Sequence, residues 1–214
     1  MKKLIALAAA VALAACGTKG KEPGAGAATA VSATAPDSFQ VEFQTSRGPF
    51  TVAVTRALSP NGADRFYQLV TSGYFTDVRF FRVVPGFVAQ FGMNGDPTVN
   101  AEWTAKTIPD DSVRATNARG TLVFAKSGPN SRSNQLFINL ADNARLDAMG
   151  FPPFGHVISG MSVVDSIYSG YGEQPDQSLI TSQGNKYLER MFPKLDYIKS
   201  AAIVGGAAAD TKAH

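Results

Sequence analysis

Between residues 39 and 204 the apolar residues fall into short runs, most of them ended by glycine or proline, and their spacing rarely lengthens into a helical stripe. Phe39, Val41 and Phe43 alternate with Gln40, Glu42 and Gln44, and Phe50, Val52 and Val54 repeat the pattern after Arg47-Gly48-Pro49. A period of two is the mark of a half-buried strand, and the residues between the two runs are those of a turn. Further runs of strand length lie at Val78–Val84, Gly86–Phe91, Gly120–Ala125, Gln135–Leu140, Phe154–Ile158 and Ile198–Val204. Ala63, Phe66, Tyr67, Leu69 and Val70 shift to the helical period, opened by Ser59-Pro60-Asn61-Gly62 and closed by Gly73. Met161, Val164, Ile167 and Tyr168 predict a second helix ending at Gly170, and Tyr187, Leu188, Met191 and Phe192 one helical turn before Pro193. Many short strands with few helices restrict the fold to a mainly β barrel or sandwich, and the pattern alone does not choose between them.

Composition then removes several function classes. With 44% hydrophobic and 17% charged residues among 214, the chain is too apolar for a disordered protein. One cysteine excludes an intramolecular disulfide and any thiolate cluster, and two histidines argue against a metal centre. Five of the 20 basic and three of the 17 acidic residues lie outside 39–204, which leaves 15 against 14 and a net charge of +1 for that segment. No basic face is implied, so nucleic acid is not an expected partner. Asp110-Asp111 reads as a solvated turn, and no nucleophile-elbow or phosphate-binding glycine loop is present.

The N-terminus reads as an address. Met1-Lys2-Lys3 is followed by the short apolar run Leu4–Ala12 and then Leu13-Ala14-Ala15-Cys16, the order of a secretory signal. The last four residues resemble the bacterial lipobox, which implies a signal peptide over 1–15 and a diacylated Cys16 at the mature N-terminus. Gly, Ala, Ser, Thr and Pro fill 17 of the 22 positions from 17 to 38, so 16–38 is read as the lipidated cysteine and a flexible tether. Residues 205–214 are read as a frayed tail. The expected location is extracytoplasmic, anchored to a bacterial membrane, with the periplasmic face of an outer membrane favoured.

Two blocks are richer than scaffold requires. One is Phe80-Phe81-Arg82-Val83-Val84-Pro85-Gly86-Phe87-Val88-Ala89-Gln90-Phe91-Gly92. The other runs from Gly120 to Asn139 and contains Phe124-Ala125-Lys126-Ser127-Gly128-Pro129-Asn130-Ser131 and Asn134-Gln135-Leu136-Phe137-Ile138-Asn139. Both closely resemble the cyclophilins, peptidyl-prolyl cis/trans isomerases; a looser third block is Arg145-Leu146-Asp147 with Gly150-Phe151-Pro152-Pro153-Phe154-Gly155. The resemblance covers most of 39–204 and implies a closed eight-stranded antiparallel barrel capped by two helices. It places the family's catalytic arginine at Arg82, with Phe87 and Gln90 beside it. Substrate-binding positions fall at Val88, Ala125, Lys126, Gln135, Phe137, Leu146 and Phe151. Arg145 stands where well-studied eukaryotic members carry tryptophan, which argues against strong cyclosporin binding, and Phe151 where they carry a pocket histidine.

The implied activity is rotation about Xaa-Pro bonds in unfolded or exported polypeptides, by a monomer that needs neither metal nor cofactor. An amide barrier of about 18–20 kcal/mol comes from resonance, and rotation makes and breaks no covalent bond. The residues required are therefore a fixed hydrogen-bond donor for the twisted nitrogen and an apolar cup for the ring, which arginine and phenylalanine supply. A cyclophilin-like module that clamps peptides as a chaperone with little turnover is the alternative.

Overall fold

The computed structural model describes residues 34–206. The signal-like segment 1–15, Cys16, most of the tether and the tail beyond residue 206 lie outside the described residues. The folded part starts slightly before residue 39: Ala35 is buried, and its N–H donates to Asp64 Oδ1 at 2.8 Å.

The alternating runs form the hairpin β1 (Ser38–Thr45) and β2 (Gly48–Thr55), with Val41 opposite Val52 and Phe43 opposite Phe50. The remaining strands are β3 (Val78–Arg79), β4 (Arg82–Val84), β5 (Val88–Phe91), β6 (Thr121–Phe124), β7 (Leu136–Asn139), β8 (Pro153–Ser159) and β9 (Tyr197–Gly206). All pairings are antiparallel, in the order β3-β9-β1-β2-β8-β6-β7-β5-β4. Among the described residues the expected eight strands are thus nine, and the hydrogen-bonded ladder is open, with β3 and β4 at its ends. The single run Val78–Val84 divides because Phe80 and Phe81 part company: Phe80 enters the main core and Phe81 a second cluster with Met93, Ile180 and Leu188. The sheet curls strongly, since Val78 and Val83 from its two end strands join the same core as the rest.

The helical stripe is α1 (Pro60–Thr71). Its Phe66 packs on Phe39, Phe43, Phe75 and Phe154 with ring centroids 5.4–6.2 Å apart; burying one such side chain contributes about 1.5–3 kcal/mol. The second expected helix is only Met161–Asp165 (below, α4), and among the described residues four more α-helices accompany these two. They are α2 (Pro97–Thr104), α3 (Arg145–Ala148), α5 (Gln177–Gln183) and α6 (Asn185–Met191). Among the described residues no helix is long and apolar enough to cross a membrane.

Asp111 corrects the reading of Asp110-Asp111 as solvated. It sits at the N-terminus of α1, where Ser59 makes no side-chain cap bond of its own. Asp111 accepts from Ser59 Oγ at 2.5 Å, Gly62 N at 3.0 Å and Asn61 N at 3.2 Å. Its Oδ2 also lies 3.0 Å from Nη2 of the fully buried Arg132. A carboxylate at a helix N-terminus satisfies donors that have no partner within the helix.

Candidate functional site

Strand alternation builds the site on the outer face of the sheet. Along β5, Ala89 and Phe91 enter the main core, while Val88 and Gln90 face outward. Along β7 the inward pair is Leu136 and Ile138, and along β6 Leu122 and Phe124. Register therefore sets Arg82 of β4, Gln90 of β5, Phe137 of β7 and Val123 of β6 side by side in one row across four strands. Val88, Val123, Phe137 and Leu146 form a separate apolar cluster there, with Phe87, Ala125 and Phe151 packed on it half-buried. Phe137 and Phe151 meet edge-to-face, centroids 5.9 Å apart.

The turn from β4 to β5 explains how Phe87 reaches this cup. Phe87 N–H donates to Val84 O at 3.0 Å across Pro85 and Gly86, and Gly86 has φ of 70°. Proline at the second position and a positive φ at the third are the marks of a type II turn, which glycine adopts without strain. Two cations flank the ring: Arg82 Cζ lies 5.5 Å and Arg145 Cζ 4.7 Å from its centroid.

Arg82 Nη1 donates to Gln90 Oε1 at 3.3 Å, and Gln90 Nε2 donates to Gln135 Oε1 at 2.9 Å. Beyond them a cavity of about 310 Å³ is bounded by Gln90, Ala125, Lys126, Gln135 and Gln177. The Ala125 N–H is committed to Gln135 O at 2.9 Å. Lys126 Nζ lies 3.6 Å from Asp110 Oδ2 and 5.5 Å from the Phe151 ring centroid. All ten residues assigned to catalysis and substrate binding from the sequence thus lie along one stretch of surface. A larger cavity, about 830 Å³ beside Asn94–Pro97 and Asn185, contains none of them. Size alone would favour that cavity; the cup has the convergent donors and the apolar walls.

Sequence reasoning missed the support beneath the cup. Asn143 Nδ2 donates to Phe87 O at 2.9 Å and to Asn139 Oδ1 at 2.8 Å, and Asn139 Nδ2 donates to Asn117 Oδ1 at 3.1 Å. Asn117 Nδ2 reaches Phe151 O at 2.9 Å and Asp147 Oδ1 at 2.7 Å. One buried network therefore fixes the backbone of both half-buried phenylalanines. Burial acts to raise the Asp147 carboxyl, but the Asn117 amide, the Thr116 hydroxyl and the Asn117 N–H outweigh it and hold it below the ordinary range. It also missed Glu173, which contacts Arg82 Nε at 2.7 Å. Among the described residues no group of three or more His, Cys, Asp or Glu is placed to hold a metal ion.

A sequence model described as "Cyclophilin type peptidyl-prolyl cis-trans isomerase/CLD" matches residues 40–184. The chain belongs to the cyclophilin family. It is 35% identical over 143 residues to a peptidyl-prolyl cis-trans isomerase of Acinetobacter baylyi, covering 64% of this chain and 76% of that one. It is 36% identical over 140 residues to peptidyl-prolyl cis-trans isomerase A of Dickeya dadantii, covering 62% and 73%. Solved structures agree on the fold. A Cryptosporidium parvum cyclophilin-type isomerase superposes with a TM-score of 0.58 at 22% identity, over 79% of this chain and 99% of that one. A cyclophilin from Hirschia baltica gives 0.59 at 16% identity, over 82% and 77%. The cyclophilin match ends at residue 184, so α6 and β9 lie beyond it.

Proposed function

We infer that this cyclophilin is a peptidyl-prolyl cis/trans isomerase for exported polypeptides, and that it turns over by stabilising the twisted amide without covalent chemistry. The observation that carries the reading is the row Arg82–Gln90–Phe137 beside the cup of Phe87, Leu146 and Phe151. In the twisted state the proline nitrogen has lost resonance and regained a lone pair. A guanidinium N–H donates to that lone pair in the twisted state and has no such acceptor in either planar isomer, so the interaction lowers the barrier selectively. The cup holds the ring while Gln90 offers its amide to the peptide backbone and keeps one side of the bond still. A peptide clamp needs only the cup; the arginine and glutamine aligned beside it favour turnover.

The test is two-dimensional exchange NMR on short Xaa-Pro peptides. Catalysed cis/trans exchange is expected, and bound-state shifts without acceleration would make the protein a clamp. The rate should also be flat from pH 6 to 9. Arginine stays protonated throughout that range and glutamine does not titrate, so a steep dependence would put an ionisable group in the mechanism and overturn it.

The role at a membrane rests on Leu13-Ala14-Ala15-Cys16. Two acyl chains on Cys16 would anchor the enzyme stably where one chain does not, with the residues from 16 to 33 as its tether and a monomer as the working form. Cells expressing Cys16→Ser should show the protein released from the membrane fraction and unlabelled by a fatty-acid analogue. Continued lipid labelling would sink the anchor.

A further inference from the structure

The segment between α4 and α5 runs along β4, next to Arg82. Val83 N–H donates to Gly172 O at 3.2 Å, so the segment's backbone is pinned to the edge strand. Tyr171 is its second anchor. Its ring meets Tyr168 and Phe192 edge-on, each at 5.1 Å, and Phe192 meets Tyr187 at 5.6 Å. Two backbone bonds, Gly172 N to Ser169 O and Gln174 N to Tyr171 O, both 2.9 Å, close the turn from which Glu173 projects.

Glu173 Oε1 accepts from Arg82 Nε at 2.7 Å and also pairs with Nη2. With Nη1 on Gln90 Oε1, three of the five guanidinium N–H groups are held by two side chains from different parts of the fold. The Arg82 side chain is 24% exposed and that of Glu173 63%. Without the carboxylate, Arg82 would rest on one long bond to Gln90 and its contact with the Phe87 ring. A long side chain so loosely held spreads over several rotamers, and small errors in the position of a reacting group cost rate steeply.

We propose that Glu173 is a positioning residue for the isomerase reaction: it clamps the Nε–Nη2 edge of Arg82 and so fixes the donor beside the proline cup. The proposal rests on the isomerase reading above. Glu173 stands outside the apolar cup and acts through the arginine. Because an exposed ion pair contributes little to stability, its removal leaves the fold intact and exposes the effect on turnover.

The test compares full-length wild type with Glu173→Ala, Glu173→Gln and Glu173→Asp. Exchange NMR on one Xaa-Pro peptide supplies kcat and KM, and the ¹⁵N–¹H signal of Arg82 Nε in the free protein, assigned through Arg82→Lys, reports the clamp directly. In Glu173→Ala, kcat should fall about five- to tenfold, KM should stay within about twofold, and the Nε–H signal should broaden or vanish. Glu173→Gln and Glu173→Asp, which keep an acceptor, should recover part of both. Thermal unfolding should be unchanged in all three. Full kcat in Glu173→Ala, or a rise in kcat, would overturn the proposal, the rise marking Glu173 as a competitor of the peptide. If wild type itself gives no turnover, the isomerase reading fails; the Nε–H signal then still decides whether Glu173 holds Arg82.

Discussion

Arg82→Ala should lower kcat/KM for an Xaa-Pro peptide by about 10²-fold, the typical cost of removing one preorganised donor aimed at a transition state. Peptide affinity should change far less. The cup is built by Phe87, Phe137, Leu146 and Phe151, and Leu146 and Phe137 are buried in one apolar cluster with Val88 and Val123. The prediction separates the two roles of the groove: peptide resonances still shift on addition of the variant, while cis/trans exchange returns towards its uncatalysed rate of tens of seconds. Phe137→Ala is the converse control, removing a ring at the centre of the cup while Arg82, Gln90 and Glu173 remain. It should raise KM more than it lowers kcat. If Arg82→Ala keeps most of its activity, the donor to the proline nitrogen lies elsewhere and the mechanism fails.

The contrast between the cup and its supports shows what could be read in the chain. The β1–β2 hairpin was legible because one face of each strand meets the core and the other meets water, so polar and apolar residues alternate. Strands β5, β6 and β7 are buried on both faces. One face fills the core and the other is covered by the cup and by the buried asparagines. Their runs therefore carry no period, and only the resemblance to cyclophilins singled out Arg82, Gln90 and Phe137. Of the three unexpected helices, α2, α3 and α5, the first and last are set by caps. Asp96 and Asp176 each accept from the N–H groups two and three residues on, and the helices bury only Asn100 and Ile180 in full. No apolar stripe announces such helices. Glu173 lies 91 residues from Arg82 and Asp111 52 residues from Ser59. Pairings at that separation are made by docking of distant segments and leave no local pattern. Arg145 was legible as a departure from the family's tryptophan, but not as a cation stacked on Phe87.

The second large effect should come from Arg132, which lies in the block of residues 120–139 yet touches none of the cup. Its side chain is fully buried, with Nη2 on Asp111 Oδ2 at 3.0 Å and on Pro109 O, and Nη1 on Ser59 Oγ at 3.2 Å. Nε faces Asp110 Oδ1 at 3.3 Å without making a hydrogen bond, and both atoms are left unsatisfied. Arg132→Ala would strand the Asp111 carboxylate, 7% exposed, at the start of α1. Removing one partner of a buried pair costs about 3–5 kcal/mol, a large part of an ordinary domain's stability, and in a chain of this size it should lower Tm by about 10 °C. The loss should be non-additive with Asp111→Ala: the double variant should fall short of the sum of the two single losses, because the Arg132–Asp111 pair is already gone in either, while it still lacks the bonds Asp111 accepts from Ser59, Gly62 and Asn61. The acid limb of the stability profile offers a second check. Burial acts to raise the Asp111 carboxyl, but Ser59, the Gly62 and Asn61 N–H groups and Arg132 outweigh it and hold it below its ordinary 3.8. A carboxyl depressed in the folded state binds its proton more readily when unfolded. Its stabilisation is therefore complete above pH 3.8 and is lost as pH falls through the lower folded value. Denaturant titrations between pH 6 and 3 should show wild type losing stability at the acid end and Asp111→Asn losing less. Parallel curves for the two proteins would mean that Asp111 carries no such load, and that the stability of this corner comes from packing alone.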